Sequence, residues 1–184
     1  MKSMTIIALC AACFSASTYA NTFTDLFDGV TIGAGYASDS AEGSTLGGYS
    51  VYSQGTLFPS LKDYLFTDFR YTTTSKEDYW LDPSSNLIKQ DVDLNRYQAS
   101  LGLGYPFQVS ESVVLKPYAT AGWSWDKVEY SDAGSGANQK DNSFMSSAGI
   151  QGEFGKHFVT GIGYSKETSG FKLGQWTFDV GYRF

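Results

Sequence analysis

The chain has 184 residues, 16% of them aromatic and 20 of them glycine, with a net charge of −6. Nineteen acidic residues against 13 basic ones leave no basic footprint for nucleic acid. The two cysteines, Cys10 and Cys13, lie in the first apolar run, and outside that run nothing approaches the ~18 apolar residues of a helical membrane span.

The chain opens as a secretory signal peptide. Met1-Lys2 is a short basic start, Thr5 to Phe14 is apolar, and Ser15 to Ala20 (SASTYA) places small residues at the −3 and −1 positions of a cut after Ala20. Cutting at Cys13 as a lipoprotein is the rival, weakened by Cys10 where an aliphatic residue is wanted. Cleavage near Ala20 makes residues 1–20 the signal and 21–184 one mature domain. Removing Lys2 takes the 13 basic residues to 12 against 19 acidic ones, a net charge of −7. Both cysteines leave with the signal, so the mature chain has neither disulfide nor thiolate chemistry.

Eight β-strands follow by the period-two alternation of apolar and polar residues. They are predicted at 30–37, 48–58, 64–74, 91–107, 113–129, 143–154, 157–167 and 174–184. Outward apolar positions recur along them: Ile32, Ala34 and Tyr36; Leu65, Phe69 and Tyr71; Tyr97, Leu101 and Leu103; Trp123 and Trp125; Ile150 and Phe154; Phe158, Ile162 and Tyr164. The second strand patterns least cleanly, because Tyr49, Val51 and Leu57 share a face with Ser53 and Gly55. The connections 59–63, 108–112 and 155–156 are short. Those at 38–47, 75–90, 130–142 and 168–173 are mostly longer and rich in Ser, Asp, Gly and Asn. Short turns alternating with long polar loops, on strands apolar outside and polar inside, predict an all-β, eight-stranded antiparallel up-and-down transmembrane β-barrel. A lipocalin-type soluble barrel would show the reverse faces.

The last strand is the sharpest signal. Trp176, Phe178, Val180, Tyr182 and Phe184 form one wholly apolar face, and the chain stops on it. A strand between lipid and a polar lumen ends this way; the soluble alternative is a strand closing a sandwich.

The inward positions carry charge. Arg70, Arg96, Lys116 and Arg183 face Asp68, Asp126, Glu153 and Asp179, with Gln98, Ser100, Thr120 and Gln151 between them. Buried charges must pair or hydrate, so a paired structural network is expected over a substrate path. Eight strands enclose just enough room for their own side chains.

Catalytic patterns are missing. The one histidine, His157, sits beside the short turn 155–156, far from the loops, and there is no Gly-x-Ser-x-Gly, HExxH or His/Asp metal cluster. No enzymatic activity and no cofactor is expected. In the second long loop, Tyr79, Trp80 and Leu81 stand among Glu77, Asp78 and Asp82. They are either interface anchors or part of the aromatic girdle. Lys76, Lys127, Lys166 and Lys172 lie near the strand tops, where cations can meet lipopolysaccharide phosphates.

The ending Val180-Gly181-Tyr182-Arg183-Phe184, the first hairpin (Ile32 to Ala37, then Gly47-Gly48) and Gly161-Ile162-Gly163-Tyr164-Ser165 carry a family likeness. The chain resembles the OmpX/Ail-like small outer-membrane proteins, within the OmpA-type eight-stranded barrels. The resemblance implies insertion by the barrel-assembly machinery, which reads the terminal aromatic strand. It further implies outer-membrane lipid and lipopolysaccharide as surroundings, and structural or adhesion roles carried by loops toward host surface or matrix proteins. The second long loop and the acidic balance depart from that family, so host binding does not transfer residue by residue. The alternatives are a lipid A-modifying barrel and a conduit for small molecules, which would show an apolar lumen mouth.

Deleting Phe184 removes the terminal lipid-face aromatic. Folded, heat-modifiable protein in the outer membrane should drop; wild-type levels after the deletion would contradict this role for the last strand.

Overall fold

The computed structural model describes residues 29–41, 44–56, 61, 64–81, 87–131, 136–155 and 157–184. The segment expected to be a signal peptide, residues 1–20, lies outside the described residues. The strands are β1 (Thr31–Ala41), β2 (Ser44–Thr56), β3 (Leu65–Leu81), β4 (Leu87–Gly104), β5 (Phe107–Ser110), β6 (Val113–Ser131), β7 (Gly136–Phe154), β8 (Phe158–Glu167) and β9 (Gly174–Arg183). Sequential neighbours pair antiparallel, except β4 and β5. β1 also pairs with β9, from Thr31↔Arg183 to Ser40↔Gly174, and β4 pairs with β6. The sheet is thus closed on itself.

Nine segments make eight staves. β4 and β5 are two parts of one stave, both paired with β6, and the break falls at Tyr105-Pro106. Proline has no N–H for the ladder, so it interrupts the strand expected to run unbroken to residue 107. The ladder resumes at Phe107 and shifts register between Gln108 and Ser110.

The loop-end hairpins are longer than the alternation suggests. β1 and β2 stay paired to Ala41↔Ser44, β3 and β4 to Leu81↔Leu87, and β6 and β7 to Ser131↔Gly136. The expected loops 38–47, 75–90 and 130–142 are therefore largely strand. Beyond the lipid no face must be apolar, so the period-two signal fades while backbone pairing continues. The 168–173 connection is non-strand, as expected.

Aromatic side chains form two belts on the outer face. At the turn end Tyr64, Tyr105 and Phe107 are in successive contact (5.8 and 4.7 Å between ring centroids), and Phe154 lies 6.3 Å from Phe158. Nearer the loops Tyr71 meets Tyr97 at 4.8 Å, Trp123 meets Phe144 at 6.3 Å and Tyr164 meets Trp176 at 5.0 Å. From Tyr97 to Tyr105 is roughly 26 Å of chain at ~3.3 Å per residue. Tilt reduces that toward ~20 Å, close to the apolar band of an outer-membrane barrel.

The lumen is not uniformly polar. Tyr52 and Phe66 point inward and are buried, and two glycines make room for them. A Cβ on Gly102 would lie 2.3 Å from the Phe66 ring, and one on Gly33 would lie 2.4 Å from the Tyr52 ring. Gly102→Val should therefore destabilise the folded barrel by about 1–3 kcal/mol through overpacking. A lowered urea midpoint in micelles is the expected result, and an unchanged midpoint would contradict the close packing.

Candidate functional site

The interior is stacked in layers from the turn end to the loop end. At the turn-end mouth Arg183 donates to Glu153 at 2.5 Å, and the Lys116 ammonium lies 4.7 Å from the centre of the Phe66 ring. A pocket of about 20 Å³ lies here, lined by Gln54, Gln151 and these charged groups.

Above it, Arg70 on β3 reaches across to β9. Its two terminal nitrogens donate to both oxygens of Asp179 at 2.8 Å, a bidentate pair. Arg70 also donates to Ser50 and lies 4.9 Å from the Tyr52 ring centre. Asp68 is 4.0 Å from Arg70 Nε and accepts from Gln54, which in turn accepts from Gln151. A second pocket of about 20 Å³ follows, lined by Arg70, Gln98, Tyr118 and Gln175. Each pocket has room for about one water molecule.

The next layer centres on Arg96 of β4, which is 1% exposed. Its Nη1 donates to Asp39 of β1 at 2.7 Å, its Nε donates to Asp126 of β6 at 2.7 Å, and its Nη2 lies 3.4 Å from Glu167 of β8. Thr74 and Gln175 donate to Asp39, and the Ser124 hydroxyl lies within hydrogen-bonding reach of both Asp126 and Glu167.

An apolar cap closes the loop end. Leu46, Leu94, Val128 and Leu173 are buried together, with Val92, Tyr130 and Phe171 packed against them. Leu94 and Val128 stand two residues beyond Arg96 and Asp126 toward the loops, so the cap sits over the Arg96 layer.

The residues named from the sequence fall into separate groups. Arg70, Asp68 and Asp179 are together, Arg96 and Asp126 are together, and Arg183 with Glu153 forms the mouth pair. Lys116 lies apart from the two guanidinium clusters, over Phe66. Asp39 and Glu167 are not among the inward charges expected from the sequence, and with them the equal balance of signs fails: Arg96 faces three carboxylates. Parity could have found both. Asp39 is in phase with inward Ala37 although it falls within the expected loop 38–47, and Glu167 is in phase with inward Val159. The cap was missed because its members come from four distant segments, one of them a connection.

On the outer face Trp176, Phe178, Val180 and Tyr182 are about half exposed, and Gln175, Thr177 and Asp179 alternate with them inside. The seam is fastened at the turn end. Phe184 N–H donates to Val30 and Gly29 N–H to Phe184. His157 stacks on Tyr182 with ring centroids 5.0 Å apart, its Nδ1 lies 2.7 Å from the Arg183 carbonyl oxygen, and Arg183 N–H donates back to the His157 carbonyl. Its position in the fold is that of a clasp on the last strand.

Tyr79, Trp80 and Leu81 have their backbone in β3, paired with Lys89, Ile88 and Leu87, and their side chains lie outside the described residues, as do those of Asp78 and Asp82. Of the strand-top lysines, Lys127 pairs with Glu129 on the outer face and Lys166 is exposed. Among the described residues no group of His, Cys, Asp or Glu is arranged to hold a metal ion, and no helix is long and apolar enough to cross a membrane.

A closed up-and-down barrel with lipid-facing aromatic belts and a packed polar interior defines an outer-membrane β-barrel protein. The chain belongs to the family described as outer membrane protein beta-barrel domain, whose model matches residues 6–184. No curated protein sequence matches it significantly. Among solved structures, Ail, the attachment invasion locus protein of Yersinia pestis, aligns with a TM-score of 0.54 at 20% identity, over 84% of this chain and 96% of Ail. A second Ail structure, in complex with the heparin analogue sucrose octasulfate, gives 0.56 at 19% identity, over 84% and 96%. Neisserial surface protein A gives 0.54 at 20% identity, over 84% and 94%. The likeness to the OmpX/Ail type therefore holds at the level of the fold.

Removing one partner of a buried pair leaves the other charge uncompensated. Arg70→Ala should lower the stability of the folded barrel by about 3–5 kcal/mol. The Arg70→Leu/Asp179→Leu double variant should lose less than Arg70→Ala, as read from unfolding midpoints in micelles.

Proposed function

We propose that this protein is a non-enzymatic outer-membrane barrel with a structural, adhesion-type role at the cell surface. In this reading residues 1–20 are removed near Ala20. The barrel-assembly machinery recognises the aromatic face Trp176, Phe178, Val180, Tyr182 and Phe184, and raised hairpins present the binding surface.

One observation carries the reading. β3, β4, β6 and β7 have 17, 18, 19 and 19 residues, against ten in β8 and in β9. About ten residues suffice to cross the bilayer. The excess is roughly 20–30 Å of strand at ~3.3 Å per residue, enough to lift half the sheet clear of the lipid. The segment holding Tyr79, Trp80 and Leu81 sits at the tip of that raised half, where large aromatics serve as anchors for a protein partner. Lysines at the loop end, Lys166 and Lys172 among them, are placed to meet lipopolysaccharide phosphates. The Ail complex with a heparin analogue supports sulfated matrix polymers as a further class to test.

The apolar cap meets the expectation set for a conduit, yet Leu173 fills it and the lumen pockets are water-sized. That favours a barrel closed to solutes, with the polar layers as its structural filling.

Replacing residues 77–83 by a Gly/Ser linker, at matched surface levels on intact cells, should reduce adhesion to epithelial cells and matrix proteins several-fold. Equal adhesion would overturn the loop's role and leave a purely structural one.

A further inference from the structure

The Arg96 layer holds one guanidinium against three carboxylates, Asp39, Asp126 and Glu167, all nearly inaccessible to solvent. Fully ionised, it would bury two excess negative charges beneath an apolar cap, a cost that proteins avoid by neutralising a group. Among the described residues Arg96 is the one cation against these carboxylates. β3 contributes Thr74, β9 contributes Gln175, and β7 contributes Ser143 and, at the rim, Asp141, which accepts from Phe171 N–H at 2.9 Å. Arg70 is engaged one layer down by Asp179 and Asp68.

Two carboxylates of the layer converge on the same partners. Asp126 and Glu167 both lie against the Arg96 guanidinium, at 2.7 and 3.4 Å, and both reach the Ser124 hydroxyl. Two buried carboxylates that share one hydroxyl, and share one guanidinium with a third carboxylate, are relieved of their repulsion by a proton between them. Ser124 reaches both, at 3.2 and 2.7 Å, but its hydroxyl has a single proton to donate.

Glu167 is also the anchor of the cap. Its Oε2 accepts from Leu173 N–H at 3.1 Å, and its own N–H donates to the Leu173 carbonyl at 3.1 Å. The 168–173 connection is thereby turned inward. Gly170 (φ 65°) and Lys172 (φ 51°) take left-handed conformations, and Ser169 N–H donates to Ser143.

We propose that Asp126 and Glu167 share one proton at neutral pH, and that this proton latches the 168–173 connection, through Leu173, as a lid on the loop end of the lumen. With the proton in place the layer carries one excess negative charge and Glu167 holds Leu173 in the cap. Rising pH removes the proton, the two carboxylates repel, water enters the layer and the lid loosens. Falling pH keeps it shut.

The test is infrared spectroscopy of the folded barrel in micelles at neutral pH. The wild type should show the carbonyl stretch of a protonated carboxylic acid, and that band should lose intensity in Glu167→Gln and in Asp126→Asn. Hydrogen exchange supplies the lid readout. Protection of the Leu173 amide, corrected for intrinsic base catalysis, should fall by roughly tenfold or more between neutral and mildly alkaline pH in the wild type. It should stay nearly constant in Glu167→Gln, whose amide keeps a Leu173 acceptor without the charge. Absence of a protonated-carboxyl band in the wild type overturns the proposal, and that arm needs no variant to fold. A band of unchanged intensity in both variants, or pH-independent protection of Leu173 in the wild type, overturns it equally.

Discussion

Every backbone N–H and C=O that enters lipid must find its partner within the protein, because hydrocarbon offers none. A sheet meets that demand only by having no edge. Here the closing ladder is β1 against β9, ten residue pairs from Thr31↔Arg183 to Ser40↔Gly174. Closure also explains why a proline at 106 is tolerated. It falls at the turn end, beside Tyr105 of the aromatic belt, where interfacial water can serve the broken ladder.

Closing eight strands creates a second problem, a narrow tube that must be filled. Side chains from opposite walls can touch there, and the chain uses this by running charge pairs across the lumen instead of along a strand. Arg70 on β3 grips Asp179 on β9, and Arg96 on β4 gathers β1, β6 and β8. Apart from Arg96–Asp126, which spans the β4–β6 ladder, these pairs fix the relative position of strands that share no ladder. Fully desolvated pairs of this kind add little net stability over apolar filling, whereas breaking one by removing a partner is costly.

Much of this was legible in the sequence because lipid and lumen impose opposite chemistry on alternate residues. Trp176, Phe178, Val180 and Tyr182 declare a face by themselves, and Arg70 and Asp179 declare the other. Legibility stopped where that contrast stopped. Past Ala37 on β1 and past Thr74 on β3 the outer face no longer has to be apolar, so Asp39 and the raised part of the second hairpin read as loop although their backbones are paired. Pairing across the tube is invisible to periodicity, so nothing local tied Arg96 to Glu167, 71 positions on. The cap was hidden for the same reason: Leu46 and Leu173 each look ordinary, and only closure brings them together.

The clasp at the turn end has a consequence for how the molecule is made. Each hairpin joins neighbours in sequence and can form early at small entropic cost, whereas the seam joins the first strand to the last. His157, stacked on Tyr182 and held to Arg183, belongs to the β7–β8 turn, so the grip on the final strand comes from its hairpin partner and does not depend on β1. The loose end that must find the opening is then a pre-paired ribbon, not a single floppy strand. Such a ribbon presents one ordered edge to be matched, and the search for the correct register shortens to a slide along β1.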